Sequence, residues 1–129
     1  IFIENALFEK DISISGDGSE SLDFTYIQDL VDGIVKVIKM EKSKNQILNL
    51  TYGSARTISD MVEILKEYFP KIKVKKIKKD KLMPKRGTLS VDKAKELIDY
   101  KPSWPLDRGY PKYIEWYIDL FNKHSELKN

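Results

Sequence analysis

Between Ile12 and Gly33 the hydrophobic period of the chain changes, and this change restricts the architectures open to it. Ile12 and Ile14 alternate with Ser13 and Ser15, the spacing of a strand with one apolar face. Gly16-Asp17-Gly18 follows as a turn, because glycine accepts positive φ and Asp bonds nearby backbone. Leu22, Phe24 and Tyr26 alternate again. From Ile27 the spacing becomes helical, through Leu30, Val31, Ile34, Val35 and Ile38. This order predicts a mixed α/β fold of short strands with packed helices, and a polar turn beside two strand ends.

The rest of the chain fits that scheme. Residues 1–9 read as the end of a helix, with Phe2, Ile3, Ala6 and Leu7 on a stripe expected to be severed from its partners. The helix from Gln28 is expected to reach about Lys42, with Asp29 and Asp32 early and lysines late, as the helix dipole favours. Ile47–Leu50 reads as a short buried strand and Thr51–Arg56 as a loop. Thr57 and Asp60 form a capping box ahead of a helix that Pro70 closes. Lys71–Lys78 alternates like a strand, Asp80–Gly87 is a loop, and Ser90 is the expected N-cap of a helix over Val91–Ile98. Lys101–Pro105 is an extended linker. The last regular helix is expected to begin close to Arg108, with Leu106–Asp107 as its entry, because Pro111 is tolerated only in a first turn.

With 129 residues, one domain with a real core is expected, spanning 1–129. The absence of cysteine excludes a disulfide framework and a thiolate metal site, and it fits a reducing, cytoplasmic setting. No cluster of His, Asp and Glu has metal spacing. No apolar run approaches the ~20 residues of a membrane span. A net charge of +3 is too small to imply a polyanionic partner by itself.

Two stretches carry a resemblance. GDGSESLDFTYIQDLVDGI resembles the G-x-G…R-D-[FW]-x-Y-[IV]-x-D segment of the NAD-dependent epimerase/dehydratase family, the nucleotide-sugar epimerases, dehydratases and decarboxylases of the extended short-chain dehydrogenase/reductases. KRGTLSVDKAKELIDYKPSWPLDRGYPKYIEWY is similar to that family's closing R-x-G-D…D-x-S-K-A-x-x-x-L-G-[WY]-x-P pattern, in the same order and at similar separation. The family's Tyr-x-x-x-Lys pair and its Gly-x-x-Gly-x-x-Gly motif have no counterpart here. Gly16-x-Gly18-x-x-Ser21 lacks a third Gly and no helix opens after it, so it reads as a plain turn. The resemblance therefore implies the C-terminal, substrate-binding part of such an enzyme, without a complete Rossmann fold. NAD, which oxidises the sugar at C4 in the family, would be bound by an N-terminal half outside this chain. Implied partners are a nucleotide-sugar substrate, a UDP- or dTDP-sugar, and that half; the resemblance also allows a homodimer.

Site residues follow from the same resemblance. Ser13 and Ser15 fall on the strand that covers the nucleotide base, although an ordinary polar strand face explains them equally well. Lys85 and Arg86 share the neighbourhood of a diphosphate arginine, a role suited to a guanidinium's paired donors; a solvated loop is the alternative for Arg86. The family's other diphosphate arginine is replaced by Leu22, so another basic residue must act or the substrate is held differently. Asp29 and Asp23 read as structural braces, of the helix start and of the turn respectively. His124 reads as a bystander. The basic run Lys71–Arg86 supports a rival reading, a non-catalytic module for nucleic acid or another polyanion. No aromatic interleaves it, and alternation turns its lysines to one side, as on a protected sheet edge. A purely packing or assembly role is a third reading.

Overall fold

A computed structural model describes residues 1–79, 82, 84 and 86–124. Its elements are α1 (Phe2–Leu7), β1 (Ile12–Ser15), β2 (Ser21–Leu22), α2 (Ile27–Lys39), β3 (Arg56–Thr57), α3 (Ile58–Tyr68), β4 (Val74–Ile77), α4 (Asp92–Ile98) and α5 (Leu106–Lys123). Helices packed with a few short strands make this the mixed α/β class that the change of period predicts. The chain divides into two compact units: Ile1–Glu20, Thr57–Lys85 and Asp107–Asn129 form the first, Ser21–Arg56 and Arg86–Leu106 the second.

In the first unit β1 and β4 pair in parallel, from Ile12 opposite Val74 to Ser15 opposite Ile77. Ile12 and Ile14 are buried while Ser13 is exposed, as the period-2 pattern requires. Strand β4 is shorter than the alternation suggested, and its lysines are not confined to one side. Lys75 and Lys76 are consecutive, hence on opposite faces, and both are exposed, as is Ile77. Among the described residues this sheet has two strands, and Val74 is the one residue of β4 that is half-buried rather than exposed. Lys75 bonds Asp11 at 2.6 Å, and that hydrogen bond holds the Asp11 carboxyl below its ordinary range. The α1 stripe is not severed: Ile3 and Ala6 are buried, and Phe8 meets Phe121 of α5 edge to face at 5.3 Å.

Helix α3 starts at the expected box. Asp60 N–H donates to Thr57 Oγ1 at 3.0 Å, and Thr57 N–H donates to Asp60 Oδ2 at 2.9 Å. Two of the orphan donors at the helix start are thereby satisfied. Thr57→Ala is expected to lower stability by about 1 kcal/mol, read as a fall in the urea midpoint with an unchanged m-value. Helix α5 begins at Leu106, earlier than Arg108, because Leu106 is buried and anchors its first residue. Pro111 is thus the sixth helical residue, beyond the first turn, and it supplies no N–H to the carbonyl of Asp107.

The second unit is built on Ala94, Ile98 and Tyr100, against which Val37, Leu48, Leu50, Val91 and Leu97 pack. Helix α2 starts at Ile27 and stops at Lys39, short of Lys42. Met40 is extended (φ −101°, ψ 113°) and a 3₁₀ turn, Glu41–Ser43, follows. There Ser43 Oγ donates to Val37 O at 2.6 Å, satisfying a carbonyl left over at the helix end. Gly33 is required by packing, since a Cβ would lie 2.8 Å from Tyr100 Cε2 and 3.1 Å from Leu50 Cδ1. Gly33→Ala should cost about 1–3 kcal/mol through overpacking, again read from the urea midpoint.

Residues 46–50 are in no ladder, so the expected strand Ile47–Leu50 is not formed. The alternation is nonetheless real: Leu48 and Leu50 join the core while Ile47 stays 89% exposed. What fails is the hydrogen-bonded neighbour; Asn49 Nδ2 instead donates to Ser90 O at 2.9 Å. A related gap appears on α2, where Ile27, Val31, Ile34, Val35 and Ile38 are all exposed. With Leu30, Gly33 and Val37 they spread over about 200° of the helix circumference, and only the Gly33–Val37 side meets the core. No described helix is long and apolar enough to cross a membrane.

Candidate functional site

Strand β1 presents Ser13 and Ser15 on one face, opposite Lys75 and Ile77 in the register. Ser13 is exposed and Ser15 half-buried. The turn that follows is locked at both ends. Gly16 N–H donates to Ile77 O at 2.9 Å, Ser59 N–H to Gly18 O at 3.0 Å, and Ile58 N–H to Glu20 O at 3.0 Å. Inside it, Ser19 donates to Asp17 Oδ1 from its backbone at 2.9 Å and from its hydroxyl at 2.6 Å. The Ser19 hydroxyl bond lowers the Asp17 carboxyl pKa most, with the backbone bond adding to it. Asp17 therefore braces the turn, not Asp23.

Asp23 serves a different loop. Its carboxylate accepts Gly53 N–H at 3.1 and 3.2 Å, fixing the Thr51–Arg56 segment. Asp29 is 2% exposed and accepts from Ser103 N–H at 2.8 Å and Trp104 N–H at 2.9 Å. It tethers the Lys101–Pro105 linker to the first turn of α2, where Tyr26 packs on Trp104 with ring centroids 4.8 Å apart. Both carboxylates are structural, and sequence had placed them on a helix start and a turn because it could not show the distant N–H partners. Burial, followed by the charges of Asp29, Asp23 and Asp32, pushes the Tyr100 phenol up to about 12, so it stays protonated.

Ser90 does help α4 begin, but from one residue further out. The N-cap is Val91, and Ser90 Oγ accepts Asp92 N–H at 3.2 Å while donating to Asp92 Oδ2 at 2.8 Å. Arg86 opens the second stretch of the second unit, exposed, and a Cβ on Gly87 beside it would meet nothing within 4 Å. The structure thus brings Ser13 and Ser15 together in the first unit and describes Arg86 by itself in the second. Lys85 lies outside the described residues. Among those described, no group of His, Asp and Glu has the makings of a metal site.

Residues 1–51 match the NAD dependent epimerase/dehydratase family model. The UDP-glucuronate 4-epimerase of Thermodesulfobacterium geofontis is 31% identical over 117 residues, 89% of this chain and 36% of that protein. In its first 51 residues the chain matches that family, and over most of its length it is similar to family members. The solved epimerase Mth375 of Methanothermobacter thermautotrophicus superposes with a TM-score of 0.87 at 25% identity, over 94% of this chain and 37% of that one. The UDP-glucuronic acid 4-epimerase of Bacillus cereus, solved with UDP-glucuronic acid and NAD, gives 0.78 at 28% identity, over 89% and 38%. The chain spans about a third of the length of the curated relatives it matches.

That family is NAD-dependent, and the glycine turn is the one place in the described residues that resembles a cradle for that cofactor. It does not fit. A Cβ on Gly18 would stand 2.3 Å from Ser59 Oγ, so α3 already fills the concavity, and the chain leaves the turn into β2 rather than a helix. Gly18 is held at φ +88° in addition. Gly18→Ala should therefore cost more than the ~1–2 kcal/mol of left-handed strain alone, measurable as a lower urea midpoint. Leu22 is half-buried in β2, which pairs with β3.

Proposed function

We propose that this chain is the substrate-binding portion of an NAD-dependent nucleotide-sugar epimerase or dehydratase. In this reading Arg86, with Lys85 beside it, holds the diphosphate of a UDP- or dTDP-sugar, and Ser13 and Ser15 face the base. The observation that carries it is Arg86 itself: exposed, in no ion pair among the described residues, and followed by a glycine with open space. Its charge is not consumed by the fold, and a guanidinium matches phosphate oxygens through paired donors. The similarity to UDP-glucuronate epimerases supports the same chemistry.

Catalysis and NAD belong, on this account, to a part outside the chain. The exposed apolar stripe of α2 and the unladdered segment 46–50 support that, because a strand without a neighbour and a helix with a bare apolar arc both want a sheet to cover. A second reading, a polyanion-binding module, draws on the lysines of β4, which are exposed on both faces. Backbone amide shifts separate the two. On adding UDP-glucuronate, the amides of Ser13, Ser15 and Gly87 are expected to shift and saturate. Saturating shifts confined to Lys73–Lys79, given equally by heparin, would support the polyanion module instead.

A further inference from the structure

The outer edge of β4 has no neighbouring strand, and its chemistry restricts what could pair with it. Ile12 N–H donates to Lys73 O at 2.8 Å and Gly16 N–H to Ile77 O at 2.9 Å, in the register that sets Ile12 opposite Val74. The peptide groups of successive residues in a strand point to opposite edges. Those of Lys75 and Ile77 therefore face β1, and those of Val74 and Lys76 face away from it. Among the described residues, no segment hydrogen-bonds to the Val74 and Lys76 peptide groups. An open row of N–H and C=O groups is a template for another strand.

Charge decides which strand. Lys73, Lys75, Lys76, Lys78 and Lys79 are all exposed. Among the described residues only Lys75 of these five is in an ion pair, with Asp11. A second copy of β4 would set lysine against lysine, and like charges directly opposite destabilise a pair. The same lysines keep basic strands off the edge and favour an acidic one. On the other face Ile77 is 52% exposed, an apolar contact without a cover. The far edge of β1, with Ser13 and Ser15, offers neither the charge nor the apolar contact.

We propose that the β4 edge docks an extended acidic peptide segment of a partner protein, added to the sheet as a third strand. The Val74 and Lys76 peptide groups supply the main-chain bonds. Lys76 and Lys78, two residues apart and so on one face, take alternate carboxylates, and Ile77 takes an apolar side chain on the other. This differs from the polyanion reading, because heparin or a nucleic acid brings charge without the peptide groups of a strand.

The test is amide hydrogen exchange of the chain with the capped peptide acetyl-TEVEVET-amide. The peptide is expected to slow exchange of the Val74 and Lys76 amides about tenfold or more. Lys75 and Ile77, already bonded to β1, should change less than about twofold. Heparin should slow neither pair, and the same peptide N-methylated at every residue, with its charge kept and its donors gone, should bind at least about tenfold more weakly. Lys76→Pro removes an outward N–H that β1 does not use, and should weaken peptide binding about tenfold or more. Lys76→Ala, which loses the charge alone, should weaken it less than about fivefold. Circular dichroism checks both variants, and if Lys76→Pro does not fold the N-methylated peptide decides. Unchanged exchange at Val74 and Lys76, equal slowing by heparin, or full affinity of the N-methylated peptide overturns the proposal. Protection of Val74 and Lys76 that rises with protein concentration in the absence of peptide also overturns it, and assigns the edge to a second copy.

Discussion

Asp29→Ala is expected to lower the stability of the chain by about 3 kcal/mol, since hydrogen bonds to a charged group contribute about 1.5–3 kcal/mol each. The carboxylate is 2% exposed and each oxygen has its own backbone donor, Ser103 N–H on Oδ1 and Trp104 N–H on Oδ2. Removing it leaves two N–H groups without their acceptor beside the start of α2, and the linker they belong to loses its anchor. Water recovers part of the loss because the linker is only partly covered, which is why the sum of two full bonds is not expected. Asp29→Asn retains one acceptor but turns an NH₂ toward the other N–H, so about half of the effect should remain. Urea unfolding followed by the emission of Trp104 and Trp116 together reads both variants. The midpoint should fall with m unchanged, and an Asp29→Ala midpoint equal to that of the unmodified chain would show that Ser103 and Trp104 are held by something else.

The same residue illustrates what sequence could and could not reveal. Its position in the Tyr-Ile-x-Asp stretch marked it as structural, but the partners lie 74 and 75 residues away in the chain. No local pattern encodes such a distance. Features with local causes were legible: the alternation that buries Ile12 and Ile14, the Thr57–Asp60 box, and the helix stripes. Those that depend on a neighbour were not. Segment 46–50 has strand alternation and no ladder, because pairing needs a second strand that periodicity cannot supply. The α5 entry at Leu106–Asp107 was legible, but these two residues are already helical, which puts Pro111 beyond the first turn that the proline rule allows. Arg86 and the two serines of the proposed site came from motif positions alone, with no local physical signal of their own.

The second large effect concerns the site itself. If the chain holds the diphosphate of a nucleotide sugar, its affinity must depend on Arg86 far more than on any lysine of the exposed β4 run. Arg86→Ala removes a charge-assisted fork, a loss of about 1.5–3 kcal/mol, or roughly 10- to 150-fold in Kd. Arg86→Lys should recover only part of it, because an ammonium keeps the charge without the paired geometry. Lys78 is also exposed and cationic, so Lys78→Ala controls for net charge alone. The decisive measurement is the ratio of UDP-glucuronate dissociation constants for Arg86→Ala and Lys78→Ala, each against the unmodified protein, at one fixed salt concentration. The account predicts a loss of at least about tenfold for Arg86→Ala and less than about twofold for Lys78→Ala. Equal losses for the two, or none for Arg86→Ala, would contradict it.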